Sequence, residues 1–300
     1  MNPEFSVIIA VNNDIIEKDF FRCLSTFTPQ DGDVSFEFLV VDEADERRQR
    51  IYESQFPWVT LITMDKMRRG SYPRNLALGQ VRGDYIVFLE DHVTVQRNHL
   101  LQLKEIFEKG YDAIGGSVIN GSPESTGAWL QYFCEYHRWF PCRPSGYIGD
   151  LPGCNFAYRA STLKRLGIFV EGRYKMESLF NARAKAQGVQ LYFAAEAPAI
   201  HFAFDARTAL EYWRYRFHYG RDFAAHRGLG RSKRIFYAVF SPCLVGLAFF
   251  RIWSDVRRDR SLKKRFWKMT PVLFLTLAIW SIGEMCGYLI GSQDPNRSFR

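Results

Sequence analysis

Short apolar runs set between polar turns fill the first two hundred residues, and longer apolar stretches fill the last hundred. Phe5 to Val11 is a nearly continuous apolar run, the pattern of a strand buried on both faces of a parallel sheet. Asn12, Asn13 and Asp14 end it. Ile15, Ile16, Phe20, Leu24 and Phe27 then fall near helical spacing, which predicts a helix over 15–27 capped by Asp14. Phe36–Val41 and Val59–Met64 read as the second and third strands, the second ending in Asp42 and Glu43. Pro73 sits where a first helical turn tolerates it, and Leu76, Ala77 and Val81 continue a helix that Gly83 stops. Tyr85–Leu89 is again wholly apolar, and Glu90, Asp91 and His92 follow at once. This alternation is that of a nucleotide-binding half sheet, in which ligands gather beyond the carboxyl ends of the strands. Glu90, Asp91 and His92 are therefore candidates for a metal or phosphate site, with a solvated strand end as the alternative.

The last third has a different texture. From Arg207 to His226 arginines interleave with aromatic rings, a mixture suited to a headgroup layer but also to single-stranded nucleic acid. Two apolar segments, 235–253 and 271–290, come close to the roughly 20 residues that span a bilayer. They decide for a membrane and against nucleic acid, with buried core helices as the other reading. A hydrophobic share of 47% in 300 residues supports a large core and argues against disorder. The net charge of +8 fits a phosphate-bearing partner without choosing which. Six cysteines show neither a CxxC pair nor a zinc spacing, so they are expected to be reduced thiols in a cytoplasmic compartment. No basic region precedes the short run Val7–Val11, and no signal peptide is expected.

The chain carries no GxGxxG and no GKS or GKT phosphate loop, which argues against a dehydrogenase and a P-loop enzyme. Instead SVIIAVNND, FLVVDEAD and PRNLALGQVRGDYIVFLEDH, in that order, resemble the nucleotide-sugar half of family 2 glycosyltransferases with the GT-A fold. LPGCNFAYRASTLKRLGIF at 151–169 is similar to the GxN segment of the family's acceptor half. ESLFNARAKAQG at 177–188 resembles the helix that opens with its ED pair, with Met176 and Glu177 on that pair, and Ala199–His201 resembles the strand that ends in a His near the metal. The resemblance covers about residues 4 to 205. Glu90-Asp91-His92 stands where DxD is usual, and with Glu135-Tyr136 and LPGxN it is similar to a membrane-attached subgroup.

The resemblance implies an α/β fold with a mostly parallel, Rossmann-like sheet flanked by helices, followed by amphipathic and membrane-embedded helices. It implies a sugar transfer with inversion from a nucleotide-sugar donor to a lipid-linked or saccharide acceptor near the bilayer. Glu177 would be the catalytic base. Asn12, Asp42, Arg69, Arg74, Asn75, Glu90 and Asp91 would bind the donor, Gly153 and Asn155 would lie on the acceptor side, and Glu90, His92 and His201 would hold a metal. Two imidazoles favour Mn²⁺ over Mg²⁺, which prefers oxygen. Arg68, Arg69 and Arg74 cluster where guanidinium groups can clamp phosphate oxygens. For Asp42, capping the following helix is the alternative duty. The missing DxD also motivates a second reading, a catalytically silent nucleotide-sugar-binding membrane protein, and a nucleotidyltransferase on a similar sheet is a third.

The expected organisation is a glycosyltransferase domain at 1–205, an amphipathic interfacial region at 206–234 and a membrane-associated region at 235–300. The nucleotide donor puts the catalytic domain in the cytoplasm. Arg227, Arg231, Lys233 and Arg234 precede the first apolar segment, and Arg257, Arg258, Arg260, Lys263, Lys264, Arg265 and Lys268 follow it, so both its flanks should face that compartment. With Pro242 and Gly246 offering a bend, 235–253 is expected to dip in as a broken, re-entrant or interfacial helix. A crossing is open to 271–290, provided Glu284 finds a protein partner or lies near an interface.

Overall fold

The computed structural model describes residues 2–11, 17–27, 34–64, 71–169, 176–202 and 209–291. The chain opens with β1 (Phe5–Ala10), α1 (Glu17–Ser25), β2 (Phe36–Asp42), α2 (Glu46–Gln55), β3 (Val59–Thr63), α3 (Tyr72–Leu78) and β4 (Tyr85–Glu90). β5 (Val93–Val95), α4 (His99–Glu108) and β6 (Ala113–Asn120) follow. The chain then forms α5 (Thr126–Gln131), a π-helical turn and a 3₁₀ turn through Trp139, and returns to the sheet with β7 (Gly146–Tyr147) and β8 (Asn155–Arg159). α6 (Ala160–Leu166), α7 (Met176–Ala186) and β9 (Leu191–His201) complete this part. Four helices end the chain: α8 (Ala209–Ala225), α9 (Arg231–Phe240), α10 (Leu244–Val256) and α11 (Arg260–Ile290). Residues 1–121 and 144–202 form one compact unit, and 122–143 with 203–300 form another.

In the first unit the sheet runs β3-β2-β1-β4-β8-β6-β9-β5, with β7 beside β9. β3, β2, β1 and β4 are mutually parallel, as their unbroken apolar runs predict. β8 pairs antiparallel with both β4 and β6, so the second half of the sheet is mixed. Ile8, Leu39, Ile86, Phe88, Phe156 and Phe180 belong to one buried core beneath it. α3 ends at Gly79 rather than at Gly83. The reason is that the chain must straighten to reach β1: Gly83 donates its N–H to Ser6 Oγ at 2.9 Å, and a Cβ there would lie 2.5 Å from the Ser6 nitrogen. The cap of α2 is Asp45, whose carboxylate accepts from the Arg48 N–H at 2.8 Å, so Asp42 is not the capping residue.

In the second unit α8 lies along α11 in the same direction, with Trp213 donating to Thr276 Oγ1 at 3.1 Å and Arg221 Nε donating to the Gly291 carbonyl at 2.7 Å. Gly283 and Gly287 permit this approach, because a Cβ at either would run into the backbone of Phe217 or Arg221. The second apolar helix starts at Arg260, capped by Asp259, and runs through Pro271 instead of beginning there. Phe249 holds both sides of that proline, stacking on Phe266 and Phe274 with centroids 5.3 and 4.5 Å away. The first apolar segment is broken by a 3₁₀ turn at Ser241–Cys243, but it does not turn back on itself. Tyr237 meets Tyr288, Ser241 accepts from Ser281 and Trp253 meets Phe266, so 231–256 runs antiparallel to α11 over its whole length. Of the broken, re-entrant or interfacial helix expected at 235–253, the 3₁₀ turn at Pro242 supplies the break, and packing against α11 at both ends carries the chain past it without a reversal.

Residues 122–143 join these helices. His137 and Arg143 engage Asp255 at 2.8 and 3.2 Å, and Glu135 accepts from Arg216 at 3.0 Å.

Candidate active site

Three strand ends build the site. Glu90 is the last residue of β4, level with Ala10 of β1. β5 then turns back along β9, pairing Val93 with His201, and the Phe202 N–H donates to the His92 carbonyl at 3.0 Å. This pairing brings residues 92 and 201 together. Their Nε2 atoms lie 2.9 Å apart, and Glu90 Oε2 is 3.4 Å from one and 3.3 Å from the other. Asp91 Oδ1 meets His92 Nδ1 at 2.8 Å, so an imidazole that donates there carries its Nε2 lone pair toward Glu90 and His201. Burial works to raise the Glu90 carboxyl. The His201 hydrogen bond and attraction to His92, His201 and Arg74 outweigh it and hold the group at about 2.

Arg74, buried in α3, forms the second cluster. It pairs through Nη1 with Glu177 at the start of α7, and through Nη2 it donates to the Gly153 carbonyl at 3.0 Å. Gly153 also adjoins the Glu177 side chain, a Cβ on it standing 3.6 Å from the carboxyl carbon. Arg74 is expected from the sequence at the donor phosphates, and its guanidinium here bonds Glu177 and the Gly153 carbonyl. α7 itself is held by Asp150, whose carboxylate accepts from Ser178 and Asn181, each at 2.7 Å.

The chain belongs to glycosyl transferase family 2. The family's model matches residues 6–167, more than half of the chain, and the protein is accordingly a glycosyltransferase. No curated protein sequence matches it. Among solved structures, the mannosyltransferase PcManGT from Pyrobaculum calidifontis, in complex with GDP-Man and Mn²⁺, is similar with a TM-score of 0.59 at 14% identity, over 97% of this chain and 87% of that one. S. aureus TarS 1–349, in complex with UDP-GlcNAc, is similar with a TM-score of 0.52 at 15% identity, over 94% and 90% of the two chains. At these identities the likeness is one of fold, and it agrees with the GT-A architecture expected of the sequence.

The donor set of this family 2 glycosyltransferase fits a divalent ion. Two imidazole Nε2 atoms facing each other at 2.9 Å repel unless a proton or a cation lies with them. Ligands about 2.1 Å from one ion, at octahedral to tetrahedral angles, stand about 3.0–3.4 Å from each other. The observed triangle of 2.9, 3.3 and 3.4 Å has that size.

Other sequence candidates fall elsewhere. Asn12 and Arg69 lie outside the described residues, as does Arg68. Both ends of the Asn75 amide are engaged with the Phe169 backbone at 2.9 Å, which ties α3 to the chain after α6. Asn155 is buried and donates to the Ser117 and Ala197 carbonyls at 3.2 and 3.0 Å, across the bulge where β6 and β9 shift register. A Cβ on Gly116 would collide with that amide. Both asparagines thus hold the frame of the site. Asp42 is fully buried, accepts from Tyr52 at 2.7 Å and lies 3.4 Å from Arg48. Its Oδ1 has no partner among the described residues, and burial raises its carboxyl. Sequence reasoning missed Asp150, whose only signal is its place just before the LPGxN segment, and the orienting contact of Asp91 on its neighbour.

Proposed function

We propose that this glycosyltransferase moves a sugar from a nucleoside diphosphate donor to a hydroxyl of a lipid-linked or saccharide acceptor held near a membrane, with inversion at the anomeric carbon. The observation that carries the reading is the convergence of Glu90, His92 and His201 on one point, with Arg74 linking the same neighbourhood to Glu177. In this reading Glu90, His92 and His201 hold a divalent metal, Mn²⁺ in preference to Mg²⁺ because two donors are imidazoles. Such an ion, when bound, supplies positive charge to the leaving diphosphate. Bound GDP-Man with Mn²⁺ in PcManGT and UDP-GlcNAc in TarS support a nucleotide-sugar donor here.

Glu177 then takes the proton of the acceptor hydroxyl. Arg74 fixes one of its oxygens and leaves the other to face the acceptor, and Gly153 leaves room beside it. Asp42 Oδ1 is the acceptor assigned to the nucleotide. The glycosyltransferase domain lies within residues 1–205, apart from 122–143, which belong with the later helices; it faces the cytoplasm, and the apolar helices after residue 230 attach the protein to the membrane. Two helical stretches there, Arg231–Val256 and Arg260–Ile290, are long and apolar enough to cross one.

The test is incubation of the purified protein with Mn²⁺ and a panel that includes GDP-mannose and UDP-N-acetylglucosamine, followed by identification of the released nucleotide. Release of a nucleoside diphosphate is expected. Binding without turnover of any donor would favour a silent binding protein, and pyrophosphate release would indicate nucleotidyl transfer.

A further inference from the structure

The helical unit has two unlike sides that run the same way. Along α11, Val272, Leu275, Ile282 and Leu289 are exposed, and along α9 and α10 Phe236, Phe240, Leu247 and Phe250 are exposed at helical spacing across the 3₁₀ break. Only 22% and 44% of the two apolar windows are buried. The apolar side is therefore broad and continuous from one end of the helices to the other.

α8 gives the opposite character to the same length of helix. It accompanies α11 from the Thr276 contact to Gly291, about 22 Å at 1.5 Å per residue. On the side of α8 turned from α11, Glu211, Arg214, His218, Asp222 and His226 recur every three or four residues. A helix that crosses a bilayer meets hydrocarbon all round at that depth. Hydrocarbon there disfavours the acidic and basic side chains of Glu211, Arg214 and Asp222, and the glycine contacts at 283 and 287 leave α8 no room to stand away from α11.

We propose that the helical unit lies flat in one leaflet, with α9, α10 and the outer stripe of α11 sunk in the acyl region and the polar side of α8 turned to water. This rests on the membrane attachment proposed above and replaces crossing with in-plane burial. It also explains the charge pattern. Exposed Arg231 and Lys233 at one end, and Arg257, Arg258, Arg260, Lys264 and Lys268 at the other, then meet one headgroup layer of anionic phospholipid, which a hairpin crossing would split between two compartments.

The test uses the full chain, expressed in cells, with its native cysteines replaced and a single cysteine at Ser232 or Ser261. A membrane-impermeant maleimide is applied to intact cells and to inside-out vesicles. Both sites should be protected in cells and labelled in inside-out vesicles. Labelling of the two from opposite faces would overturn the flat arrangement while keeping membrane attachment. A protein recovered wholly in the soluble fraction would instead defeat the attachment reading, and this proposal with it. As a second measurement, spin labels at Val239, Leu247, Leu275 and Leu289 in vesicles containing phosphatidylglycerol should report one shallow depth, about 5–10 Å. A graded profile, with Leu247 and Leu275 near the midplane at about 15 Å, would be the signature of a crossing.

Discussion

Replacing Arg74 with lysine separates two roles that the same residue could have. The guanidinium reaches Glu177 with one nitrogen and the Gly153 carbonyl with another at 3.0 Å, and a single ammonium on a flexible stem cannot hold both in that geometry. Arg74 is buried and the Glu177 side chain is 24% exposed, so the pair is only partly screened by water. Loss of one hydrogen bond to a charged group costs about 1.5–3 kcal/mol. If that cost falls on alignment of the base, Arg74→Lys should lower kcat by about 10- to 150-fold. Donor affinity should be unchanged, because neither partner of the fork is among the residues proposed to hold the metal, Glu90, His92 and His201. Steady-state transfer at saturating donor gives the first quantity, and calorimetric titration of the donor with Mn²⁺ gives the second. A variant with wild-type kcat and a weakened donor would refute the positioning role and return Arg74 to the diphosphate, as the sequence alone suggests.

Glu177→Gln should cut transfer by about 10²–10⁴ while donor binding persists, and residual activity above one tenth of wild type would remove Glu177 as the base. His201→Ala should weaken Mn²⁺ binding, read from the free-ion spin resonance signal without donor. Asp91→Ala should weaken it by roughly 10- to 100-fold through loss of the brace on His92, and Mn²⁺ binding unaltered in both variants would dismantle the proposed ligand set. Burial pushes the His99 imidazole down to about 4, against a partial offset from Asn155. Its folded value is below the unfolded 6.5, so the stability it allows is whole above pH 6.5 and is lost as pH falls toward 4, by about 3 kcal/mol in all. Urea unfolding should therefore weaken less on acidification in His99→Leu than in wild type, and parallel pH profiles would contradict this.

What was legible in the sequence is what local pattern determines. Unbroken apolar runs gave the four parallel strands, and polar groups at their ends gave Asp42 and the Glu90–His92 cluster. The family resemblance, rather than local pattern, pointed to Glu177 at the start of α7 and His201 at the end of β9. Partner choice over long range was not legible. Nothing near Asn75 or Asn155 in the chain announces that their amides bind Phe169, Ser117 and Ala197. Arg74 looks the same in sequence whether its fork meets a phosphate or Glu177, 103 residues away. Pro242 is legible as a break, and a 3₁₀ turn stands there, whereas the segment expected to start at Pro271 belongs to a helix that runs through that proline from Arg260, with Phe249 packed on both sides of it.

Residues 122–143 leave the catalytic unit between β6 and β7 and are covered by helices from the end of the chain. On the ribosome this order has a cost in time. Phe133 is made 133 residues before Phe266, the ring that packs edge-on against it at 5.6 Å. At about 5–20 residues per second, that aromatic segment waits roughly 7–27 s for its cover. A chain cut after Phe202 would wait indefinitely. Such a truncated chain should emerge with Phe133 uncovered and aggregate, even with every residue of the Glu90–His92–His201 cluster present. α11, made long after the segment it covers, would thus decide when the middle of the chain stops exposing its aromatic rings.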